Sequence, residues 1–138
     1  MTASPNRLVA TVLGALYLLV GVLGFTATAG VGFSATSGPL LFGVLQVNNL
    51  QNVVHLLLGV TFVLVGRLGV RGAKTGNAAT GTVVLVFGLV GLFLSGTESN
   101  VLALNGAGNA LHFATAIVLL AVSLGAEKSI PSQNAHNR

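Results

Sequence analysis

Four long apolar runs, separated by short polar segments, restrict what this chain can fold into. The runs cover roughly residues 8–27, 50–68, 78–95 and 105–125. The hydrocarbon core of a bilayer is about 30 Å thick, and a helix needs about 20 apolar residues to cross it. Each run is close to that length and is bounded by polar residues, glycine or charge. The sequence therefore predicts four membrane-spanning helices.

The composition supports the same class of protein. Charged residues make up 6% of the chain and strongly hydrophobic residues 53%, whereas a soluble domain has about 25% charged residues. A chain with so little charge cannot cover its surface in water, so we interpret it as an integral membrane protein of one domain. The first run is longer than the roughly 7–15-residue core of a secretory signal peptide, which favours a retained helix.

The distribution of positive charge predicts how the chain is oriented. The basic residues are Arg7, before the first run; Arg67, Arg71 and Lys74, between the second and third; and Lys128 and Arg138, after the fourth. With four crossings, these three locations share one side of the membrane. The other side has the uncharged loop 28–47 and the loop around Glu98. Because Lys and Arg are enriched on the cytoplasmic side, both termini are predicted to be cytoplasmic.

The residues present exclude several classes of function. The chain has no cysteine, which excludes disulfides, thiolate metal sites and cysteine nucleophiles. It has no aspartate and only two glutamates, Glu98 and Glu127, which excludes paired-carboxylate catalysis within one chain. The basic residues form no stripe with interleaved aromatic residues, which excludes nucleic-acid binding. There is also no nucleophile–base set or phosphate loop, so we predict no catalytic activity of its own.

The longer uncharged loop contains a second apolar feature. Its segment PLLFGVLQV, residues 39–47, is too short to span the membrane. Pro39 is typical of the first position of a helix, so we expect a short helix that lies at the membrane interface or caps the bundle. The chain then divides into a four-helix transmembrane domain, residues 1–129, and a polar cytoplasmic tail, residues 130–138.

A polar motif occurs twice, in QNVVHLLLG from Gln51 and in GNALHFATA from Gly108. One constant offset aligns Asn48 with Asn105, Asn52 with Asn109, His55 with His112, and Gly59 with Ala116. These positions follow the spacing i, i+4, i+7 and i+11, which is one face of a helix. The first and third runs align more weakly, at a larger offset that matches Tyr17 with Phe87.

This repetition predicts the architecture. We expect an all-α integral membrane four-helix bundle built from two parallel helical-hairpin repeats, related by an axis along the membrane normal. Polar side chains are costly in hydrocarbon, so both motifs should face the bundle interior near its outer end. The predicted polar intramembrane patch consists of Asn48, Asn52, His55, Asn105, Asn109 and His112.

The stretches VNNLQNVVHLLLG and LNGAGNALHFATAI also resemble the bacterial membrane family catalogued as domain of unknown function 4383. The resemblance extends from about Leu8 to Leu124, and the two Asn/His motifs are its most specific part. It implies a small four-helix, multi-pass protein of the bacterial inner membrane. It implies no particular activity.

Three interpretations of the polar patch remain open. In the first, the patch is structural: its members hydrogen-bond across helices, and Asn48 and Asn105 cap the helices that follow them. In the second, His55 and His112 ligate a haem or a metal ion from two sides. In the third, the chain contacts a partner protein or an apolar molecule through its glycine-rich surfaces and apolar loop.

We expect the leading role to be that of a structural or accessory subunit without a cofactor. Its partners would be the lipid bilayer and a larger membrane assembly or further copies of the chain. A bis-His haem or metal protein is the alternative.

Overall fold

The four predicted helices form an all-α bundle in the structure, a computed structural model that describes residues 4–125. The helices are α1 (Pro5–Ala27), α2 (Asn49–Arg67), α3 (Val70–Leu94) and α4 (Gly106–Gly125). Each is long and apolar enough to cross a membrane. The predicted tail 130–138 and the charged residues Glu127, Lys128 and Arg138 lie outside the described residues.

The helices pack as two tight hairpins, α1 with α2 and α3 with α4, and the two hairpins contact each other less extensively. The connection between the hairpins consists of residues 68–69 alone. The three basic residues between the second and third apolar runs lie at helix ends: Arg67 ends α2, and Arg71 and Lys74 lie in the first turns of α3. All three side chains are exposed. Long basic side chains at a helix end reach polar surroundings, so the helix can extend beyond its apolar run.

Positive charge lies at one end of the bundle, which we call the basic end. It has the four described basic residues, Arg7, Arg67, Arg71 and Lys74. Arg7 Nε donates a hydrogen bond to the Gly66 carbonyl at 3.1 Å, which ties α1 to α2 there. The opposite end, which we call the loop end, has the connections 28–48 and 95–105. The described basic residues therefore share one end of the bundle and exposed Glu98 lies at the loop end, as the sequence predicts.

The apolar segment of the first loop is a β-hairpin, so the predicted short helix was wrong. Its antiparallel strands are β1 (Leu40–Leu41) and β2 (Leu45–Gln46). Phe42 and Gly43 turn the chain with φ of +53° and +75°, which a right-handed helix does not allow. Leu41 and Val47 are buried, and the strands contact α1 and α4. The segment therefore caps the bundle, which was one of its two predicted positions.

Glycine permits the close approach of α1 and α2. A Cβ atom built on Gly59 would lie 2.7 Å from the Leu18 backbone nitrogen, and one on Gly14 would lie 2.8 Å from the Val63 backbone nitrogen. Small residues at such crossings let helix backbones meet in membrane proteins. Only glycine therefore fits both positions at this helix separation.

The interior and exterior of the bundle are both largely apolar. The central cluster consists of Tyr17, Leu58, Phe62, Val84, Ala116 and Leu119. The outward faces of the helices have large apolar side chains such as Leu57, Phe93 and Ile117, which are 63%, 80% and 64% exposed. A helix that is apolar on all sides suits burial in a bilayer.

Candidate functional site

The paired asparagines and histidines of α2 and α4 lie inside the bundle. His55 and His112 are each 2% exposed, Asn52 is fully buried, and Asn109 is 3% exposed. The helical spacing of each pair places its two side chains on the same face, one turn apart. The asparagines are therefore nearer to the loop end than the histidines.

One ring from each helix contributes to a central group that we call the aromatic layer: Tyr17, His55, Phe87 and His112. The ring centroids of His55 and His112 are 6.0 Å apart, and the ring planes meet at 31°. Tyr17 lies 5.3 Å from His55, and Phe87 lies 6.0 Å from His112. The Tyr17 hydroxyl donates a hydrogen bond to Thr115 Oγ1 at 3.0 Å. The two histidines, which are distant in sequence, thus meet at one depth in the bundle.

The hydrogen bond of His55 indicates which of its ring nitrogens is protonated. Nδ1 lies 2.9 Å from the Gln51 carbonyl oxygen, which can only accept, so the hydrogen is on Nδ1. Nε2 of the neutral ring then carries a lone pair. This Nε2 atom and Nδ1 of His112 are both buried without a hydrogen-bond partner among the described residues. Such an atom usually costs about 1–3 kcal/mol.

Each buried asparagine faces a glycine of the neighbouring helix. A Cβ atom on Gly24 would collide with Asn52 Oδ1, and one on Gly91 would collide with Asn109 Oδ1. The oxygens thus lie in the direction of glycine Cα–H bonds, the arrangement of a weak Cα–H···O contact. Asn52 Nδ2 also donates to Thr28 Oγ1 at 3.1 Å.

The glycine contacts favour a different register between α1 and α3 from the one in the sequence alignment. Gly24 of α1 and Gly91 of α3 each meet the buried asparagine of the neighbouring helix. The sequence alignment instead matches Tyr17 with Phe87, which shifts the register by almost one helical turn. Both rings nevertheless belong to the aromatic layer.

Asn48 caps α2 and joins both loops of the loop end. Its Oδ1 accepts from the Gln51 backbone nitrogen at 2.7 Å, which is the N-cap contact predicted for it. Its Nδ2 donates to the carbonyls of Ala35 and Val101, both at 2.7 Å. The side chain is fully buried. One amide therefore holds the start of α2, the first loop and the second loop together.

Asn105 has the matching position before α4. Its Oδ1 accepts from the Gly108 backbone nitrogen at 3.0 Å, as predicted for a cap, and its Nδ2 donates to the Val44 carbonyl at 2.8 Å. Asn105 is only half-buried, unlike Asn48. The capping prediction is confirmed for both asparagines. Each side chain also donates a hydrogen bond to a backbone carbonyl of the first loop.

Sequence reasoning missed a second buried asparagine pair, at the basic end. Asn77 Nδ2 donates to Asn6 Oδ1 at 2.9 Å and to the Asn6 carbonyl at 3.0 Å. Asn6 Nδ2 donates to the Val122 carbonyl at 3.0 Å, so this pair ties α1, α3 and α4 together. The available signal was that Asn6 and Asn77 are the one asparagine in α1 and in α3, respectively.

A cavity of about 300 Å³ lies beside α3, outside the paired histidines. Its lining is apolar and comes from α3 and the second loop: Thr82, Val83, Val86, Phe87, Val90, Leu102 and Leu104. Neither histidine contributes to it. A haem between the histidines would instead need the space beside their rings, where Tyr17 and Phe87 pack.

Comparison with known families gives one match. The model of a family described as domain of unknown function (DUF4383) matches residues 7–125, which include nearly all of the four helices. Comparison with curated proteins and with solved structures gave no match.

Proposed function

We propose that this chain, which belongs to the family described as domain of unknown function (DUF4383), is a small integral membrane protein with a structural or accessory-subunit role. We further propose that it has no catalytic activity of its own. The buried asparagines cap helices, join loops and connect helices, and each described charged side chain is exposed. An interior of this kind supports a role exerted through contacts rather than through chemistry.

The observation that carries the proposal is the apolar tip of the β-hairpin. Leu40, Phe42 and Val44 are 53%, 65% and 56% exposed, at the loop end and beyond the ends of the helices. The Asn105–Val44 hydrogen bond anchors this tip to the bundle. Exposed apolar patches on an ordered support mark sites of interaction. We assign this surface to contact with another protein of a membrane assembly.

The charge distribution supports an orientation for this contact. Basic residues are enriched on the cytoplasmic side of membrane proteins, so the basic end is assigned to the cytoplasm. We therefore propose that, in a bacterium, the chain lies in the inner membrane with both termini cytoplasmic and the β-hairpin on the opposite side. The partner would then be met at the outer surface of that membrane.

We also interpret the two hairpins as an internal repeat. Asn52 meets Gly24 between α2 and α1, and Asn109 meets Gly91 between α4 and α3. Equivalent contacts at equivalent places are what a parallel repeat produces. The sequence offset between matching residues of α1 and α3 is larger than the offset between matching residues of α2 and α4. The reason is that the first loop is longer than the second.

Replacing Phe42 and Val44 together by serine is expected to abolish retention of the partner, because the change removes the exposed apolar tip and leaves the caps intact. The chain and its variants would be extracted in native-lipid discs, and co-purifying proteins would be quantified by mass spectrometry. Phe93→Ser is the matched control, because Phe93 is 80% exposed near the loop end of α3 but away from the β-hairpin. Equal recovery of all partners with the double variant would contradict the proposal.

A further inference from the structure

We propose that the paired histidines form a binding site for one soft monovalent cation, Cu(I), held between His55 Nε2 and His112 Nδ1. This inference goes beyond the accessory role and does not depend on it. It rests on three features of the aromatic layer: the ring separation, the two unpartnered nitrogens and the absence of nearby negative charge among the described residues.

The ring separation matches a two-coordinate metal ion. A metal–imidazole bond is about 2 Å long, so a metal bonded to two imidazoles on opposite sides separates their centroids by roughly 6 Å. The observed separation of the His55 and His112 centroids is 6.0 Å. Linear coordination sets no requirement on the twist between the rings, and the observed angle of 31° is therefore compatible with it.

The nitrogen chemistry is also that of a ligand pair. His55 donates its Nδ1 hydrogen to the Gln51 carbonyl, and metal-ligating histidines usually bind a carbonyl or carboxylate in this way through the other ring nitrogen. That bond leaves the Nε2 lone pair available and sets the direction of the ring. Nδ1 of His112 is likewise buried without a partner among the described residues. A shared cation would satisfy both atoms at once.

The lack of negative charge determines the class of ion. Glu98 is exposed in the second loop, and the four helices, as described, have no carboxylate. Two neutral imidazoles cannot offset the charge of a buried dication, whose desolvation cost rises with the square of its charge. Residues 4–125 also contain no group of three or more His, Cys, Asp or Glu side chains that could complete a tetrahedral site. Cu(I) is monovalent, binds imidazole and accepts two ligands.

The test is a competition for Cu(I) between the protein and a chromophoric chelator, without oxygen and with ascorbate present, on protein in lipid discs with a histidine-free affinity tag. We expect one Cu(I) per chain. His55→Leu and His112→Leu should each lower the affinity by roughly 100-fold or more, since loss of an outer-shell partner alone costs about 10–100-fold. The matched control is His136→Leu, which changes the one remaining histidine, outside the described residues, and should retain the ion.

X-ray absorption of the loaded unmodified chain gives a second readout that does not depend on the folding of any variant. Two nitrogen ligands at about 2 Å in linear coordination would support the site. Three or more ligands would overturn it, and so would unchanged Cu(I) binding in folded His55→Leu and His112→Leu proteins. Tighter binding of Zn²⁺ than of Cu(I) would overturn the choice of ion. A Soret band after haem is supplied, lost in either variant, would replace the bare ion with haem.

Discussion

Replacing Gly59 by alanine is expected to force α1 away from α2 and to lower the free energy of unfolding by roughly 2–3 kcal/mol. The added Cβ would lie 2.7 Å from the Leu18 backbone nitrogen and 3.0 Å from the Gly14 carbonyl oxygen. Both atoms belong to the backbone, so no side-chain rotation relieves the overlap. The helices must separate, and the packing between them is lost.

The second hairpin and an open helix start provide the controls. The sequence alignment matches Ala116 of α4 with Gly59, and Ala116 is fully buried, so that hairpin already contains the methyl group. The nearest atoms to a Cβ on Gly81 would be side-chain atoms of Leu119 and Leu120, at 3.0 Å or more, and Gly81→Ala should be tolerated better. Gly106→Ala meets nothing within 4 Å. Denaturant or thermal unfolding in micelles measures the stability of all three glycine variants. Equal stability of Gly59→Ala and Gly106→Ala would disprove the close crossing of α1 and α2.

Asn48→Ala is expected to have a comparable effect, about 3 kcal/mol, because one side chain serves three segments. The change removes the α2 cap, which is usually worth about 0.5–2 kcal/mol. It also leaves the carbonyls of Ala35 and Val101 without their donor, and each unsatisfied buried group costs about 1–3 kcal/mol. Water entering the loop end would recover part of this loss.

Two further variants separate these contributions. Asn48→Asp keeps an oxygen for the cap but replaces both donations by a carboxylate oxygen that faces two carbonyls, so its loss of stability reports on the contacts with the loops. Asn105→Ala removes the cap of α4 and one hydrogen bond, which a half-buried side chain donates to the first loop. We expect it to lower the free energy of unfolding by about half as much as Asn48→Ala. Unfolding of each variant in micelles, with hydrogen exchange of the two loops, measures the difference. An Asn105→Ala protein that is less stable than Asn48→Ala would contradict this ranking.

The helices and the burial of the paired motif were predictable because both depend on local pattern. Apolar length decides whether a helix can cross a bilayer, and the spacing of Asn52 and His55 places them on one face. The same reasoning applied to Asn48 and Asn105 predicted the caps. Each of these inferences needs only residues that are close in sequence.

The errors concern features that depend on distant contacts or unusual backbone angles. Pro39 suggested a helix, but the positive φ values of Phe42 and Gly43 turn the chain into a hairpin that packs on the bundle. The third apolar run begins at about residue 78, whereas α3 begins at Val70, because exposed basic side chains are compatible with a helix that extends past its apolar run. The register between α1 and α3 could not be predicted from the sequence, because apolar runs align at several registers. The glycine contacts favour one of them.

The arrangement of the ring nitrogens in the aromatic layer could not be predicted from the sequence either. The sequence places His55 and His112 at equal depth, but it does not say that the rings lie 6.0 Å apart. Nor does it say which nitrogen of His55 meets the Gln51 carbonyl. The approach of the His55 and His112 rings across the bundle is a tertiary contact, and the inferred cation site depends on it.

Cysteine accessibility in intact membranes tests the central claim, a four-span bundle with its basic end in the cytoplasm. The chain has no cysteine, so single substitutions report without background. Ser37 is exposed in the first loop, and Gly69 is exposed between α2 and α3. We predict that a membrane-impermeant thiol reagent labels Ser37→Cys only from outside the cell, and Gly69→Cys only from the cytoplasmic side of inverted vesicles. Labelling of Ser37→Cys from the cytoplasmic side alone would contradict the account.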